Sequence, residues 1–392
     1  MQSMPRTADV LIVGGGVIGC AIAYYLCRAG AEVIVLDQGE VGAQASNAAA
    51  GLLAPLGSLT GPGPFADLLL ASWSLFPALV AELEEVSGVH IEYEQSGALR
   101  VVRNPRNIAN LKRRMQAWEP LGLHMDWLTG DEARSHEPLL ALDVRAAVYA
   151  PQEAQVRAPR LVKALAQAAT VRGARLYSQQ EIIGVQRHAD RVTGVHTTQG
   201  KTFACDHLVI ATGAWARRCG EWLDIDIPIS PLRGQILSLL QPTVPLRHMI
   251  FGEAIYLAPK LDNTITVGAT KEEVGFDSHI TAGGISGLLN AAIRLAPALA
   301  ACSIEAMWTG LRPRSPDQQP ILGKAPGWEN VTLATGHGSV GIMLSAITGQ
   351  TIAELVTTNK VPEIIRAFGV ERFAAAHHDT RNGGFSGEAD QV

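Results

Sequence analysis

Gly14, Gly16 and Gly19 stand in GxGxxG spacing directly behind the β-prone run ADVLIV and at the opening of CAIAYYLCRAG, where apolar residues recur at helical intervals. A second short β-branched run at residues 31–36 (AEVIVL) ends at Asp37, so the first 37 residues read as strand, helix and parallel strand. Few features restrict a fold more, because each glycine answers a separate need: a tight turn, close approach of backbone to a pyrophosphate, and close contact of helix with strand. The helix start then offers unpaired N–H groups to phosphate oxygens. Asp37 lies 18 residues beyond Gly19, at a strand end, where a carboxylate can accept hydrogen bonds from ribose hydroxyls. Together these residues predict a dinucleotide site, and glycines that merely turn an ordinary βαβ unit are the weaker explanation. The motif does not separate FAD from NAD. The spacing recurs at Gly336, Gly338 and Gly341, but no second strand ending in an acid follows to complete a βαβ unit there, which disfavours a flavoenzyme with a second nucleotide fold for NAD(P)H and points to a small organic electron donor.

Composition agrees with an enzyme. The 392 residues include 32 basic and 37 acidic side chains, a formal charge of -5, whereas nucleic-acid-binding domains usually carry a basic excess. Apolar residues make up 47% and charged residues 18%, which suits a packed α/β protein and not a disordered chain. Five cysteines (Cys20, Cys27, Cys205, Cys219, Cys302) form no CxxC pair, and their odd number leaves any disulfide scheme with a spare thiol, so a reducing, cytoplasmic location is expected. No apolar stretch ending at a small-residue cleavage site precedes the first strand. The uncharged run at 41–66 is long enough to cross a bilayer, but its Asn, Gln, Ser, Pro and Gly residues make a poor membrane helix; peripheral membrane association through residues 52–70 stays open. No HExxH, GxSxG or GxxxxGK[ST] occurs, so metal binding, serine hydrolysis and phosphate-loop chemistry have no motif.

Residues 67–86 read as a helix with Leu69, Trp73, Phe76, Leu79, Val80 and Leu83 on one stripe, interrupted but not excluded by Pro77. Short strands at 89–93, 98–103 and 123–127 around a polar helix at 105–118 announce a second domain. The chain is expected to return to the first domain near residue 144, with a proline-led helix at 159–169. Alternating segments at 181–188, 191–197 and 201–204 read as a β-meander ahead of the apolar strand HLVIATGAW. Strands at 236–240, 254–258 and 264–268 and a helix at 286–295 rebuild the second domain, and a strand at 331–333 with a long apolar helix at 341–357 closes the first. The expected class is α/β. Residues 1–86, 144–225 and 310–373 form a discontinuous nucleotide domain, 87–143 and 226–309 a second α+β domain on a mainly antiparallel sheet, and 374–392 a loose tail.

Five segments in order, IVGGGVIGCAIAYYLCRAGAEVIVLD, SNAAAGLLAP, HLVIATGAW, GLRPRSPDQQPILG and TGHGSVGIMLSAITG, make the chain similar to the FAD-dependent D-amino-acid oxidase family from about residue 8 to residue 370. Within that family it most resembles the glycine-oxidising branch of thiamine biosynthesis. The resemblance implies a glutathione-reductase-like FAD domain and an antiparallel-sheet substrate domain above the flavin ring. No cysteinyl or histidyl attachment motif is found, so FAD is expected to be non-covalent. Asp37 is implied to bind the adenosine ribose, Ser46 and the backbone from Ala48 through Ala49 and Ala50 to Gly51 to lie along the pyrophosphate and flavin, and Leu52 to face the active cavity. Thr212, Gly213 and Gly310 join the cofactor-contacting set. His337, Gly338, Ser339, Val340, Gly341, Ile342 and Met343 are implied to lie near the flavin pyrimidine end, where a helix start can stabilise negative charge. Arg312, in WTGLRP, takes the place of the arginine that clamps the substrate carboxylate with two parallel bonds, the plain alternative being a surface or interdomain salt bridge. Tyr256, in AIYLAP, corresponds to a tyrosine on the same carboxylate, the alternative being sheet packing.

The sequence departs from that branch in the turn after the last strand. Relatives carry His-x-Arg-Asn-Gly there, and this chain has His337, Gly338, Ser339, Val340 and Gly341. A neutral Ser339 changes carboxylate affinity, flavin potential or substrate size, and the GHG form resembles dehydrogenases that use a quinone. Lys271, after VGAT, stands in place of a cavity methionine and either replaces the missing charge or extends into solvent. The implied reaction is oxidative deamination of glycine, sarcosine or a small D-amino acid by hydride transfer to flavin N5, with oxygen as acceptor and hydrogen peroxide as product. A dye- or quinone-linked D-amino-acid dehydrogenase is the alternative. Arg312 and Tyr256 would orient substrate, since this chemistry needs no protein nucleophile. The expected partners are a small amino acid or amine and oxygen or a quinone, with no nucleic acid; the chain is expected to form a homo-oligomer.

Overall fold

The computed structural model of the chain describes residues 7–374, so the expected tail lies, beyond Ala374, outside the described residues. The opening unit is Thr7–Val13, Val17–Arg28 and Val33–Leu36, as the glycine spacing predicts. Thr7–Val13 lies at the centre of a sheet, parallel to Val33–Leu36 on one side and to Thr202–Ile210 on the other. Arg175–Tyr177 extends the sheet beyond Val33–Leu36, while Val331–Thr335 and then the antiparallel Ile321–Lys324 extend it beyond Thr202–Ile210. The central strands are buried on both faces, which is why they read as continuous apolar runs rather than alternating ones.

The meander differs from expectation in one respect. Ile182–His188 and Arg191–Thr197 are its first two strands, but residues 201–204 are no separate third one: Thr202–Ile210 is a single strand whose start pairs with the meander and whose end enters the parallel sheet. Four helices cover one face of that sheet: Val17–Arg28, Pro64–Ser87, Ala158–Val171 and Gly341–Thr358. Their close approach depends on small residues, since a Cβ on Gly349 of the last helix would come within 2.7 Å of the Tyr25 ring and 3.0 Å of Ala21 on the first. Pro64–Ser87 runs through Pro77 unbroken and is the helix, among the described residues, long and apolar enough to cross a membrane. Its buried stripe packs instead on the last helix, where Ser72 Oγ donates to the Met343 carbonyl at 2.6 Å and accepts the Ile347 N–H at 3.2 Å. The uncharged run at 41–66 is broken into a one-turn helix Ala45–Ala48, a strand Leu52–Leu53 and a 3-10 turn Pro55–Gly57.

A second sheet of eight strands runs in the order Ile304–Arg314, Ser230–Leu240, Thr264–Gly268, Tyr256–Pro259, Met249–Phe251, Ala98–Val102, Ala146–Ala150 and Asp126–Thr129. Every pair is antiparallel except Met249–Phe251 with Ala98–Val102. Ala282–Leu295 packs on this sheet and shares its apolar core. The α/β class with a mainly antiparallel second sheet is therefore the observed one. Two boundaries move: Ala146–Ala150 belongs to the second sheet, so the return crossing lies after residue 150 rather than at 144, and Ile304–Arg314 carries the second sheet past residue 310. Residues 89–93 form no strand. They are held instead by single bonds, from the Ile91 N–H to Glu84 Oε1 and from the Arg157 N–H to the Ile91 carbonyl, with no partner strand alongside.

Candidate active site

Gly14 leaves the first strand at φ +107°, and a Cβ there would collide with the Ala211 carbonyl oxygen on the neighbouring strand. Gly19 lies beneath it, where a Cβ would collide with the carbonyl of Gly14, so this glycine serves helix-to-strand contact. Asp37 accepts the Gly15 N–H at 2.7 Å with one carboxylate oxygen and the Gly39 N–H at 2.8 Å with the other. These bonds fix the carboxylate beside the turn and leave each oxygen a further lone pair. Ser46 Oγ accepts the Val17 N–H at 2.9 Å, tying the SNAAAGLL segment to the start of the first helix.

These residues open onto a cavity of about 870 Å³, toward the upper part of the range of about 300–1,000 Å³ common for small-molecule sites. Every residue expected at the site lines it apart from Gly19. The first sheet and its helix starts contribute Gly14, Gly16, Asp37, Thr212, Gly213 and the turn His337–Met343, the segment after the second strand contributes Ser46, Ala49, Ala50, Gly51 and Leu52, and the second sheet and its edge contribute Tyr256, Lys271, Gly310 and Arg312. Two helices, Val17–Arg28 and Gly341–Thr358, begin at this cavity, and neither N-cap residue, Gly16 or Val340, caps its helix with a side chain. Two helix starts therefore open on one cavity, an arrangement that suits a cofactor carrying more than one anionic group.

The groove is roofed by the second sheet. Gly51, at φ +77°, lies so close to the Val156 carbonyl that a Cβ would collide with it, and its own carbonyl accepts the Val156 N–H at 2.8 Å. Trp308 Nε1 donates to the Ala48 carbonyl at 3.0 Å, and a Cβ on Gly310 would come within 2.6 Å of the Ala48 Cβ. Side chains alternate along Ile304–Arg314, so the face that sets Trp308 and Gly310 on the cofactor segment also carries Arg312 into the cavity.

Arg312 is held by carbonyls. Its Nη1 donates to Thr270 at 3.0 Å and more weakly to Arg233 at 3.5 Å, and its guanidinium lies where Gly234 has no side chain. Burial lowers its pKa from the usual arginine value, and the titratable group facing it is the Tyr256 phenol, not a carboxylate. Its neighbours differ. Arg233 is paired with Glu272 and with Asp277 at 2.6 Å, and Arg314 with Glu273 at 2.5 Å, so the local acids are already engaged. Tyr256 keeps an edge on the cavity, and its phenol is pushed up to about 12 by burial, against an opposing pull from Arg312. It is a neutral donor at any ordinary pH.

His337 is buried, its Nε2 lies 3.1 Å from Thr348 Oγ1, and burial pushes its pKa down to about 3. It is neutral and tied to the last helix, which suits the backbone-orienting role. The turn itself is anchored by the Gly338 N–H on the Pro313 carbonyl at 2.9 Å, one residue from Arg312. Ser339 and Lys271 are exposed at the rim. Lys271 also borders a second hollow with Arg217 and Arg314, so it faces solvent as well as the cavity.

Sequence reasoning missed three residues. Trp308 was legible in principle, two positions before Gly310 on the same alternation. Arg100 lines the cavity as a buried guanidinium bonded at 2.6 and 2.8 Å to the buried Glu153, with Phe251 4.8 Å from its centre; no local pattern joins residues 53 apart. Lys260, at the end of the strand bearing Tyr256, is likewise invisible to periodicity.

The chain matches the family model described as FAD dependent oxidoreductase over residues 9–355. It is 36% identical to the glycine oxidase of Geobacillus kaustophilus over 96% of this chain and 98% of that one. It is 37% identical to a bifunctional ThiO/ThiG protein of Synechocystis over 94% of this chain, which spans 55% of that longer protein. The crystal structure of the Geobacillus kaustophilus glycine oxidase superposes with a TM-score of 0.90 at 35% identity, covering 94% of this chain and 99% of that one. An iminodiacetate oxidase from Chelativorans superposes at 0.85 with 26% identity, over 92% and 98% of the two chains. The groove, its glycine turn, its two helix starts and these matches lead to one conclusion: the chain belongs to the D-amino-acid oxidase family of FAD-dependent oxidoreductases and is a flavoprotein that binds FAD non-covalently.

Proposed function

We propose that the chain oxidises small amino acids or secondary amines, with glycine, sarcosine and small D-amino acids as candidates, to the corresponding imino acids. The observation that carries this reading is Arg312, a guanidinium on the cavity wall whose neighbouring acids are all paired with other arginines. A planar carboxylate is the partner that two of its N–H groups suit, and removing both charges from bulk water strengthens the bond. Tyr256 adds one neutral donor from a strand of the same sheet. Bound FAD supplies the two-electron acceptor for the α-carbon hydride.

The chain's own residues bind and orient. No acid or base is needed if the amine arrives unprotonated, and His337, already bonded to Thr348 and neutral, offers none. Fixing the carboxylate against the strand Ile304–Arg314 holds the α-carbon at a constant place in the groove, and such alignment supplies most of the rate in a reaction without a protein nucleophile. The imine hydrolyses in water to ammonia and an oxo acid. Oxygen as the acceptor, giving peroxide, is the reading the similarity to glycine oxidases favours.

The test is an anaerobic panel of amines added to purified yellow protein, followed by admission of air. Bleaching by glycine, sarcosine or small D-amino acids, then rapid return of colour with peroxide, is the expected result. Colour unchanged by every amine would remove the function; return of colour only with a quinone would make the enzyme a dehydrogenase.

A further inference from the structure

Lys260 is a fully engaged lysine in a place where no lysine is needed for packing. It follows directly on the strand Tyr256–Pro259 and is buried to 8% exposure. Its ammonium donates to the Ala50 carbonyl at 2.7 Å, to Gln155 Oε1 at 2.8 Å and to the Val156 carbonyl at 3.3 Å, so all three of its protons have acceptors. Gln155, itself buried, returns an amide N–H to the Pro259 carbonyl at 2.7 Å and another to Glu94 Oε2 at 3.1 Å. The clasp therefore joins three chain segments: Ala50 on the cofactor wall, the ribbon partner Ala154–Gln155, and the strand of the second sheet.

Both cavity walls hang on this point. Ala50 precedes the left-handed Gly51 and the cavity residue Leu52, which pairs with Gln155. Tyr256 begins the strand that Lys260 follows. We propose that Lys260 is a positioning residue that locks the cofactor wall at Ala50–Leu52 to the strand bearing Tyr256 and so sets the spacing between flavin and substrate carboxylate. The inference rests on the reading of FAD and substrate sites given above.

The surroundings add a pH dependence. Burial pushes the ammonium down to about 7, with Arg157 lowering it further and Glu94, Glu92 and Asp262 opposing. Arg157 is itself shared between Glu92 at 3.1 Å and Asp262 at 2.5 Å. Loss of one proton as pH rises through that value leaves two donors for three acceptors. The clasp is complete below it and loosens above.

The test uses full-length K260M, close in length but without donors, and K260R, which keeps donors. FAD affinity is read by titrating apoprotein, and the limiting rate of anaerobic flavin reduction is read separately from the substrate concentration that half-saturates it. In K260M we expect the dissociation constant for FAD to rise at least tenfold, the limiting reduction rate to fall at least tenfold with a smaller change in half-saturation, and the wild-type change in FAD affinity near pH 7 to vanish. Partial recovery in K260R supports donation as the cause. Where K260M fails to fold, Q155L, which removes one acceptor, carries the same expectations at smaller size. Native FAD affinity, native reduction rate and a retained pH change in a folded donor-less variant overturn the proposal. A wild-type protein that refuses FAD defeats the cofactor reading instead, so the two failures are distinct.

Discussion

At the scale of single residues, the site is a set of donors whose acceptors were withheld. Arg233 and Arg314 flank Arg312 and are satisfied by Glu272, Asp277 and Glu273, so Arg312 alone of the three is left to carbonyls. Replacing it with alanine should raise the apparent KM for an amino-acid substrate on the order of 10- to 100-fold, since a hydrogen bond to a charged group contributes about 1.5–3 kcal/mol. Y256F, which loses one neutral donor of about 1 kcal/mol, should cost only several-fold. Steady-state kinetics on both variants check the ranking; an equal or reversed effect would take Arg312 off the carboxylate. The arginine was legible because its TGLRP surroundings are a family signature. Lys260 and Arg100 were not, because a buried charge is made acceptable by partners far along the chain, here Gln155 and Glu153, and a sequence window holds no record of them.

At the scale of elements, turns carry more than helices or strands. Gly51 has both a left-handed backbone and the Val156 carbonyl in the space that a Cβ would take. Gly51→Val should therefore strain the cofactor wall by about 1–3 kcal/mol or more and weaken FAD binding, measured by cofactor retention through gel filtration. The last turn works through burial of His337. Unfolded, that histidine takes up a proton as pH falls through about 6.5; folded, it resists to about 3. Stability is thus complete above the unfolded value and is lost between roughly pH 6.5 and 3, by up to about 1.4 kcal/mol per pH unit. Urea titrations at pH 7 and pH 5 should show the drop, and H337N should make it shallower. Element types read well from periodicity. Joins read poorly: the meander and the core strand became one strand because Thr202–Ile210 pairs with different partners at its two ends, a tertiary fact.

For the whole molecule, two sheets close on one groove, and the first helix meets the last through Gly349 and Ala21. A ligand that binds only this closed arrangement stabilises all of it. FAD at a hundred times its Kd should add about 2.7 kcal/mol, seen as a rise in Tm of several degrees that scales with the logarithm of FAD concentration. An unchanged Tm would mean that the groove is not completed around the cofactor. The fold class was legible because βαβ chemistry is local. The crossings between sheets were not, as the shift of the boundary from 144 to beyond 150 demonstrates: Ala146–Ala150 has the apolar character of either sheet, and only its partners decide.

The distance along the chain between the glycine turn and the helix that starts at Gly341 has a consequence for biosynthesis. A ribosome delivers Gly14 long before Gly341, although both line the same cavity. The cavity can be complete only once Met343 has been made, and until then the first helix lacks the cover that the last helix gives it.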